Sequence, residues 1–439
     1  MSCTILEKVL DYSDIMDIYK SGCKADKDLK IGVEYERLPI SLKTGKHVPY
    51  LGEYGVCNLL RTFAKLENWD YILDGREIIG LKQGHNTVTL EPGCQVEFSL
   101  EPVKSLDKLK SNVENMNKLI NPIVKDLGIS LLNYGVSPVS TYKHIELIPK
   151  KRYHIMAKYL WGILSDVMMR ETAGIQGTFD FLSEEDALRK FKIANILSPF
   201  LTAMFANSPI RGGVDTGYKS FRALSWLYTD NDRCGFSCDF SKELSFDDYI
   251  NYVLDVPMIF ISKEEPIPIN GKINFREYMV GGYREYLPNI EDYLLQANLC
   301  FPEVRLRNFV EIRNHDCGNI DTLMSILAIY KGILYDSSAM EDIEILFKDA
   351  SFSEISELRY SVPKSALNSK FKRSSILDYS KEILSIARCG LKRQNCGEEK
   401  YLAYSETLIS EGMSPADIIL KNWYGSWNKD INKLINYIS

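Results

Sequence analysis

The sequence has no long uninterrupted hydrophobic run. Its most apolar stretch, Phe191 to Ile210, is broken by Lys192, Asn195, Ser198, Pro199, Thr202 and Asn207, too many polar groups for a lipid span. It has no basic excess: 53 Lys and Arg against 59 Asp and Glu give a formal net charge of −6, which argues against a nucleic-acid partner. It has no C-x-x-C pair. The ten cysteines are scattered, and the nearest pairs, Cys234 with Cys238 and Cys389 with Cys396, lack histidines at zinc-finger spacing. There is no G-x-x-x-x-G-K-[ST] phosphate loop and no G-x-S-x-G nucleophile elbow. The opening residues, MSCTILEKVLDYSDIM, carry acids where a secretion signal has a basic and an apolar region, so the expected setting is a reducing cytoplasm. No internal repeat or low-complexity tract occurs. The composition is that of an ordinary globular protein, in which small anionic substrates would have to be held by local Arg and Lys rather than by the overall field.

What is present is a set of strand-like segments that carry charge on one face. Read as a single strand, Phe301 to Asp316 (FPEVRLRNFVEIRNHD) puts Arg305, Arg307, Phe309, Glu311 and Arg313 on one side, and Val304, Leu306, Val310 and Ile312 on the other. In Leu29 to Leu38, Glu34 and Glu36 share a face opposite Ile31, Val33 and Tyr35. In Thr87 to Pro102, Pro92-Gly93 marks a turn, and Glu91 ends the strand before it. After the turn, Gln95, Glu97, Ser99 and Glu101 alternate with Val96, Phe98 and Leu100. Carboxylates two apart on a strand repel one another, and a divalent cation removes that cost. Hard cations take one or two carboxylates each, completed by water and substrate phosphate. Glu34, Glu36, Glu91, Glu97 and Glu311 are therefore candidate ligands for two or more Mg²⁺ or Mn²⁺ ions. Each segment by itself fits equally well the solvated outer face of an antiparallel sheet. His315-Asp316-Cys317 is a further candidate metal group, but reads better as a loop after the strand.

The remaining pattern predicts an α+β fold. Residues 1–28 read as one helix, 29–145 as strands with a helix near Lys104 to Leu127, 149–169 as helical and 170–182 as a strand. Residues 183–206 read as a buried helix with Ser183 as N-cap, kinked or divided at Pro199. Residues 207–236 look like a Gly- and Asp-rich loop region, and 243–255 look helical. From Asp321 onward the chain reads as helices, with Lys364 to Ser375 as a mobile linker. The expected division is a catalytic region, 1–336, and an α-helical C-terminal region, 337–439.

The blocks IIGLKQG (78–84), LEPGCQVEFS (90–99), PKKRYHIM (149–156), KFKIANILSPFLTAMFANSPI (190–210), FRALSWLYTDNDRCG (221–235) and FPEVRLRNFVEIRNHD resemble, in order, glutamate–cysteine ligases of the plant and proteobacterial type. The resemblance runs from about Leu29 to Asp336. It implies a glutamine-synthetase-like fold, with a curved antiparallel β-sheet flanked by helices and forming a funnel-shaped site. It implies ATP-dependent joining of the glutamate γ-carboxylate to the cysteine amine through a γ-glutamyl phosphate, the first step of glutathione-type thiol synthesis. It assigns Arg222 to the glutamate α-carboxylate and Trp226 to its methylenes, with Arg170 and Gln176 near the same site on one strand. Arg305 and Arg313 are expected on the ATP phosphates, with Arg313 also stabilising the oxyanion. The alternatives are a plain Arg313–Glu311 salt bridge and a Trp226 that is only core. The chain departs from the family pattern in several places. Cys94 replaces the second glycine of E-P-G-G, and Val96 to Pro102 lacks the small residues usual after that turn. R-T-C-T-V-Q-V-N-L-D-F becomes Arg170 to Phe181 with one extra residue, and M-R-G-A-D becomes Ile312 to Asp316. A ligase joining another acid or amine, or a non-catalytic binding homologue, are the competing readings. Only small-molecule partners are expected, and the oligomeric state is not legible.

Overall fold

The computed structural model describes residues 10–263 and 265–439. Alternation at Ile31, Val33 and Tyr35 puts these side chains on a buried face, and the strand they define, β1 (Ile31–Ser41), lies near the middle of a nine-stranded sheet. The sheet is completed by β2 (Asp70–Asp74), β3 (Glu77–Gln83), β4 (Asn86–Leu90), β5 (Val96–Val103), β6 (Ile129–Leu132), β7 (Gly174–Phe179) and the two arms of a hairpin, Val304–Leu306 and Val310–Asp316. From one edge the order is first arm, second arm, β7, β1, β5, β4, β3, β2, with β6 on the far end of β1. Every pairing is antiparallel. Such a sheet can keep one face polar if the other is covered. Helix Leu106–Asp126 packs on β5 and β6, Glu184–Met204 on the hairpin arms, and Ile320–Leu334 on β7. The antiparallel sheet, its flanking helices and the helical C-terminal region match the expected fold class.

Several local expectations give way to tertiary structure. Phe301 to Asp316 is a hairpin rather than one strand, closed where the Arg307 amide donates to the Phe309 carbonyl (2.8 Å). The signs of the turn were slight: Asn308, a turn-favouring residue, falls on the apolar face, and Phe309 falls on the charged one. The register Arg305↔Glu311 still keeps the charged residues on one face, because directly opposed residues share a side. Arg170 is not on a strand with Gln176, since it lies in helix Ser165–Glu171 and β7 begins only at Gly174. Residues 149–169 form two helices, Lys151–Tyr159 and Ser165–Glu171. The loop region 207–236 contains a short helix, Phe221–Leu227. Pro199 does not divide its helix, which runs from Glu184 to Met204. Packing holds that segment in place, and Asn314 donates to the Ser198 carbonyl (2.8 Å). His315 and Asp316 belong to the strand, not to a loop. Lys364 to Ser375 is not a free linker: it ends a helix and closes a small hairpin, with Leu367 and Phe371 buried and Phe371 against Tyr379. Of the expected helix over 1–28, residues 1–9 lie outside the described residues. The rest forms Tyr12–Lys20 and a 3-10 turn at Asp26–Asp28.

The C-terminal helices are bound to the sheet layer at close range. Helix Ile376–Gln394 crosses Ile320–Leu334 so tightly that a Cβ on Gly390 would sit 1.8 Å from the Gly332 carbonyl oxygen. Beside this crossing, the buried Lys331 ammonium donates to Glu398 (2.5 Å) and to the Lys104 carbonyl (2.8 Å), while Glu398 accepts from the Leu106 amide (2.7 Å). Glu398 thus caps the helix that covers β5 and neutralises a buried cation. Breaking one half of such a pair costs about 3–5 kcal/mol, whereas an apolar replacement of both halves is often near neutral. In urea unfolding, Glu398→Ala is expected to lose about that amount and the pair Lys331→Met with Glu398→Leu much less. Equal losses would show that the pair is not electrostatically organised.

Candidate active site

The polar face of the sheet forms the floor of a cavity of about 250 Å³. Glu34 and Glu36 come from β1, Glu97 from β5, Gln176 from β7, and Glu91 from the turn after β4. The wall beside them is basic, with Arg305 and Arg313 on the two hairpin arms and Arg307 at their turn. Glu36 and Glu97 stand directly opposite across the β1–β5 ladder, a pairing that destabilises an ordinary sheet. Burial first and the nearby Glu311 second, opposed by Arg313 and Arg305, raise the Glu34 carboxyl to about 7. Burial, then Glu34, Glu91 and Glu36, push Glu97 well above the carboxylate range. Burial raises Glu36 as well, opposed by Arg222. Glu97 accepts from Thr89 Oγ1 (3.0 Å) and Ser99 Oγ (3.2 Å), and Glu36 from the Gly174 amide (2.5 Å) and Gln176 Nε2 (2.9 Å).

Glu311 behaves differently. Burial would raise it too, but Arg305 and Arg313 bring it down to about 2. Arg305 lies 3.0 Å and Arg313 2.8 Å from its oxygens, so the salt bridge weighed for Arg313 is present. Arg313 also donates to Gln176 Oε1. A continuous chain of bonds therefore runs Glu36–Gln176–Arg313–Glu311–Arg305. Glu311 thus already accepts from two guanidinium groups, which sets it apart from the other four acids.

Arg222 and Trp226 stand four residues apart on helix Phe221–Leu227, and so share a face. Ser220 caps that helix, accepting from the Ala223 amide (3.0 Å), and its hydroxyl donates to Asp316 (2.8 Å). Asp316 also accepts from Ser208 Oγ (2.7 Å) and the Asn207 amide (2.8 Å), which pins the segment to the end of the hairpin. Gly135 leaves room for this, since a Cβ there would lie 2.8 Å from the Asp316 Cγ. The Arg222 Nη2 donates to the Arg313 carbonyl (3.1 Å), while Nε and Nη1 have no protein partner although the residue is only 3% exposed. Trp226 borders the cavity with its indole against Phe301, and its Nε1 is also unpartnered. It is therefore both packed and available.

Arg170 does not line the cavity. Its guanidinium donates to the Ile145 carbonyl (3.2 Å) and pairs with Asp166 (3.0 Å). Arg152 and Gln95, to which the sequence alone gave no role, do line it. Arg152 carries a buried Nε without a partner. One signal was visible: Lys150-Lys151-Arg152 opens a helix where the macrodipole disfavours cations. Gln95 lies on the face that strand alternation gave it, and the structure supplies its task. It accepts from the Gly93 amide (2.7 Å) and donates to the Met169 and Thr172 carbonyls, holding the turn that carries Glu91. Cys94 in that turn adopts a φ of 68°, the left-handed region that glycine occupies without penalty.

Among the described residues no three His, Cys, Asp or Glu side chains converge into a ready cation cage. The acids fit instead the mode of small hard cations, with one or two carboxylates each and the remaining positions left to water and phosphate oxygens. The cavity thus sets a partly neutralised acid floor against an arginine wall, with one unfilled guanidinium beside an indole. That arrangement suits a polyanion with its cations, next to a carboxylate on an alkyl stem.

The profile of glutamate-cysteine ligase family 2 matches residues 30–436. The chain belongs to this family. Glutamate–cysteine ligase B, chloroplastic, of rice is 33% identical over 429 residues, covering 96% of this chain and 86% of that one. The chloroplastic ligases of tomato and Arabidopsis are each 32% identical, covering 97% and 96% of this chain and 82% of each of theirs. Among solved structures, a Francisella tularensis glutamate–cysteine ligase in complex with AMP superposes with a TM-score of 0.57 at 13% identity, covering 93% of this chain and 88% of that one. A bifunctional glutathione synthetase from Pasteurella multocida gives 0.51 at 11% identity, over 98% of this chain and 53% of that one. These structural likenesses concern the fold. Among the described residues no helix is long and apolar enough to cross a membrane.

The raised acids make a signed prediction. Between its ordinary value of 4.5 and about 7, Glu34 holds its proton when folded and loses it when unfolded. Stability should therefore fall as pH rises through that window, by at most about 1.4 kcal/mol per pH unit. For chelator-treated protein, the melting temperature of Glu34→Gln minus that of wild type should grow from pH 4.5 to pH 7. A difference independent of pH would mean that Glu34 is not raised.

Proposed function

We propose that this family member is an ATP-dependent glutamate–cysteine ligase, forming γ-glutamylcysteine, ADP and phosphate through a γ-glutamyl phosphate. The observation that carries the reading is the row of mutually repelling carboxylates facing Arg305 and Arg313 across one cavity, a layout with no purpose in a plain binding module. Glu34, Glu36, Glu91 and Glu97 are assigned to two or more Mg²⁺ or Mn²⁺ ions, with Glu311 shared between that cluster and the arginines. Bound there, the cations would neutralise phosphate charge and align the transfer. No side-chain nucleophile is required, because the substrate γ-carboxylate itself attacks the γ-phosphorus and ADP leaves. The amine then adds to the acyl carbon and charge builds on the former carbonyl oxygen; the adduct collapses as phosphate departs and the added nitrogen loses its proton to solvent, leaving the amide.

Arg313 is assigned to the transferring phosphoryl group and to that oxyanion. Its contacts with Glu311 and Gln176 hold the guanidinium at a set height, so little reorganisation is needed when charge develops. Gln176 is assigned to orienting Arg313 and Glu36 as much as to substrate. Arg305 and Arg152 are assigned to the ATP phosphates and neighbouring anionic groups. Arg222 is assigned to the glutamate α-carboxylate through its two unfilled donors, with Trp226 against the methylenes. Arg170 is left out of the substrate set.

Arg222→Lys keeps the charge and loses the planar fork. Steady-state kinetics should show a glutamate KM raised roughly tenfold or more, with the ATP KM little changed. If both rise together, or neither moves, the assignment fails. The intermediate has its own test. Glutamate labelled with ¹⁸O in the γ-carboxylate should pass one label atom to the released phosphate. Label retained entirely in the peptide product would exclude the acyl phosphate.

A further inference from the structure

The first residue of β7, Gly174, occupies an unusual place at the centre of the site. A Cβ built on it would meet Arg222 and nothing nearer: Nη2 at 2.4 Å, Cζ at 2.7 Å and Nε at 2.9 Å. The guanidinium therefore lies in the space where any other residue would carry its side chain. Gly174 has no positive φ and belongs to a regular strand, so nothing in its backbone calls for glycine. The requirement comes from the neighbour. On the same residue, the amide donates to Glu36 (2.5 Å), and the ladder sets Asp316 opposite.

We infer that Gly174 is a positioning residue: its missing side chain is the seat of the Arg222 guanidinium and sets the depth at which the acid substrate is clamped. Seated there, Nη2 reaches the Arg313 carbonyl at 3.1 Å. Nε and Nη1 stay unpaired in a cavity walled by Trp226 and floored by Glu36. Any Cβ would lift the guanidinium into the cavity and break its bond to the strand. The arginine is the mobile partner, since the clash is with the end of a long side chain rather than with backbone. The kinetic consequence rests on the reading of Arg222 as the acid clamp, whereas the seat itself does not.

The test is Gly174→Ala in the full chain, with two readouts. A crystal structure should show β7 in place and the Arg222 Cζ displaced by about 1 Å or more, the movement that turns a 2.4 Å clash into ordinary contact. The glutamate KM should rise roughly tenfold, with kcat and the ATP KM changed far less. Arg222 unmoved, with β7 shifted instead, would overturn the seat. An ATP KM raised as much as the glutamate KM would overturn it too, by placing the damage at the amide bond to Glu36. A displaced Arg222 with an unchanged glutamate KM would uphold the seat and overturn the acid-clamp reading. Should Gly174→Ala fail to fold, the same change in an Arg222→Ala background must fold. Failure there as well would also overturn the inference.

Discussion

The structure turns on carboxylates forced together across neighbouring strands. Glu36 opposes Glu97 on adjacent strands, and Glu34 and Glu91 are close enough to raise Glu97 further. At about 5 Å and an effective dielectric near 20, two such charges repel by about 3 kcal/mol. A sheet tolerates this only if the other face is well covered and if protons, arginines or metal ions take up the charge. Both conditions shape the molecule. Helices cover the opposite face, and Arg305, Arg313 and Arg222 crowd the rim of the acid row.

The acids consequently fall into two groups. Glu311 is held ionised by two guanidinium groups, while Glu34, Glu36 and Glu97 are pushed toward the neutral form. A ligand bringing cations would find the second group ready to give up protons and the first already engaged. Gln176 connects the two, donating to Glu36 and accepting from Arg313. A change on either side therefore reaches the other through one side chain.

Supports from distant parts of the chain hold this geometry. Asp316, with Ser208, Ser220 and the space left by Gly135, fixes the short helix that carries Arg222. Gln95 holds the turn that carries Glu91. Most of these bonds join residues far apart in sequence, through groups that are common and look ordinary when read alone.

That difference separates what could be read from the sequence from what could not. Strand side chains alternate with period two whatever the partner strand, so the shared face of Glu34 with Glu36, and of Glu311 with Arg313, was legible from spacing alone. It survived even the unforeseen turn at Arg307 to Phe309, because the register opposes Arg305 to Glu311. The buried helix behind the sheet was equally legible from its apolar run and its Ser183 cap. Tertiary structure decided the rest. It drew Arg170 away from the cavity to Ile145 and Asp166, and brought Arg152 into it from a separate helix. It kept a helix intact through Pro199, and seated Arg222 in the space that Gly174 leaves. Local periodicity determines which way a side chain faces, but which distant groups it then meets, and hence its charge and its task, depends on packing that no local pattern encodes.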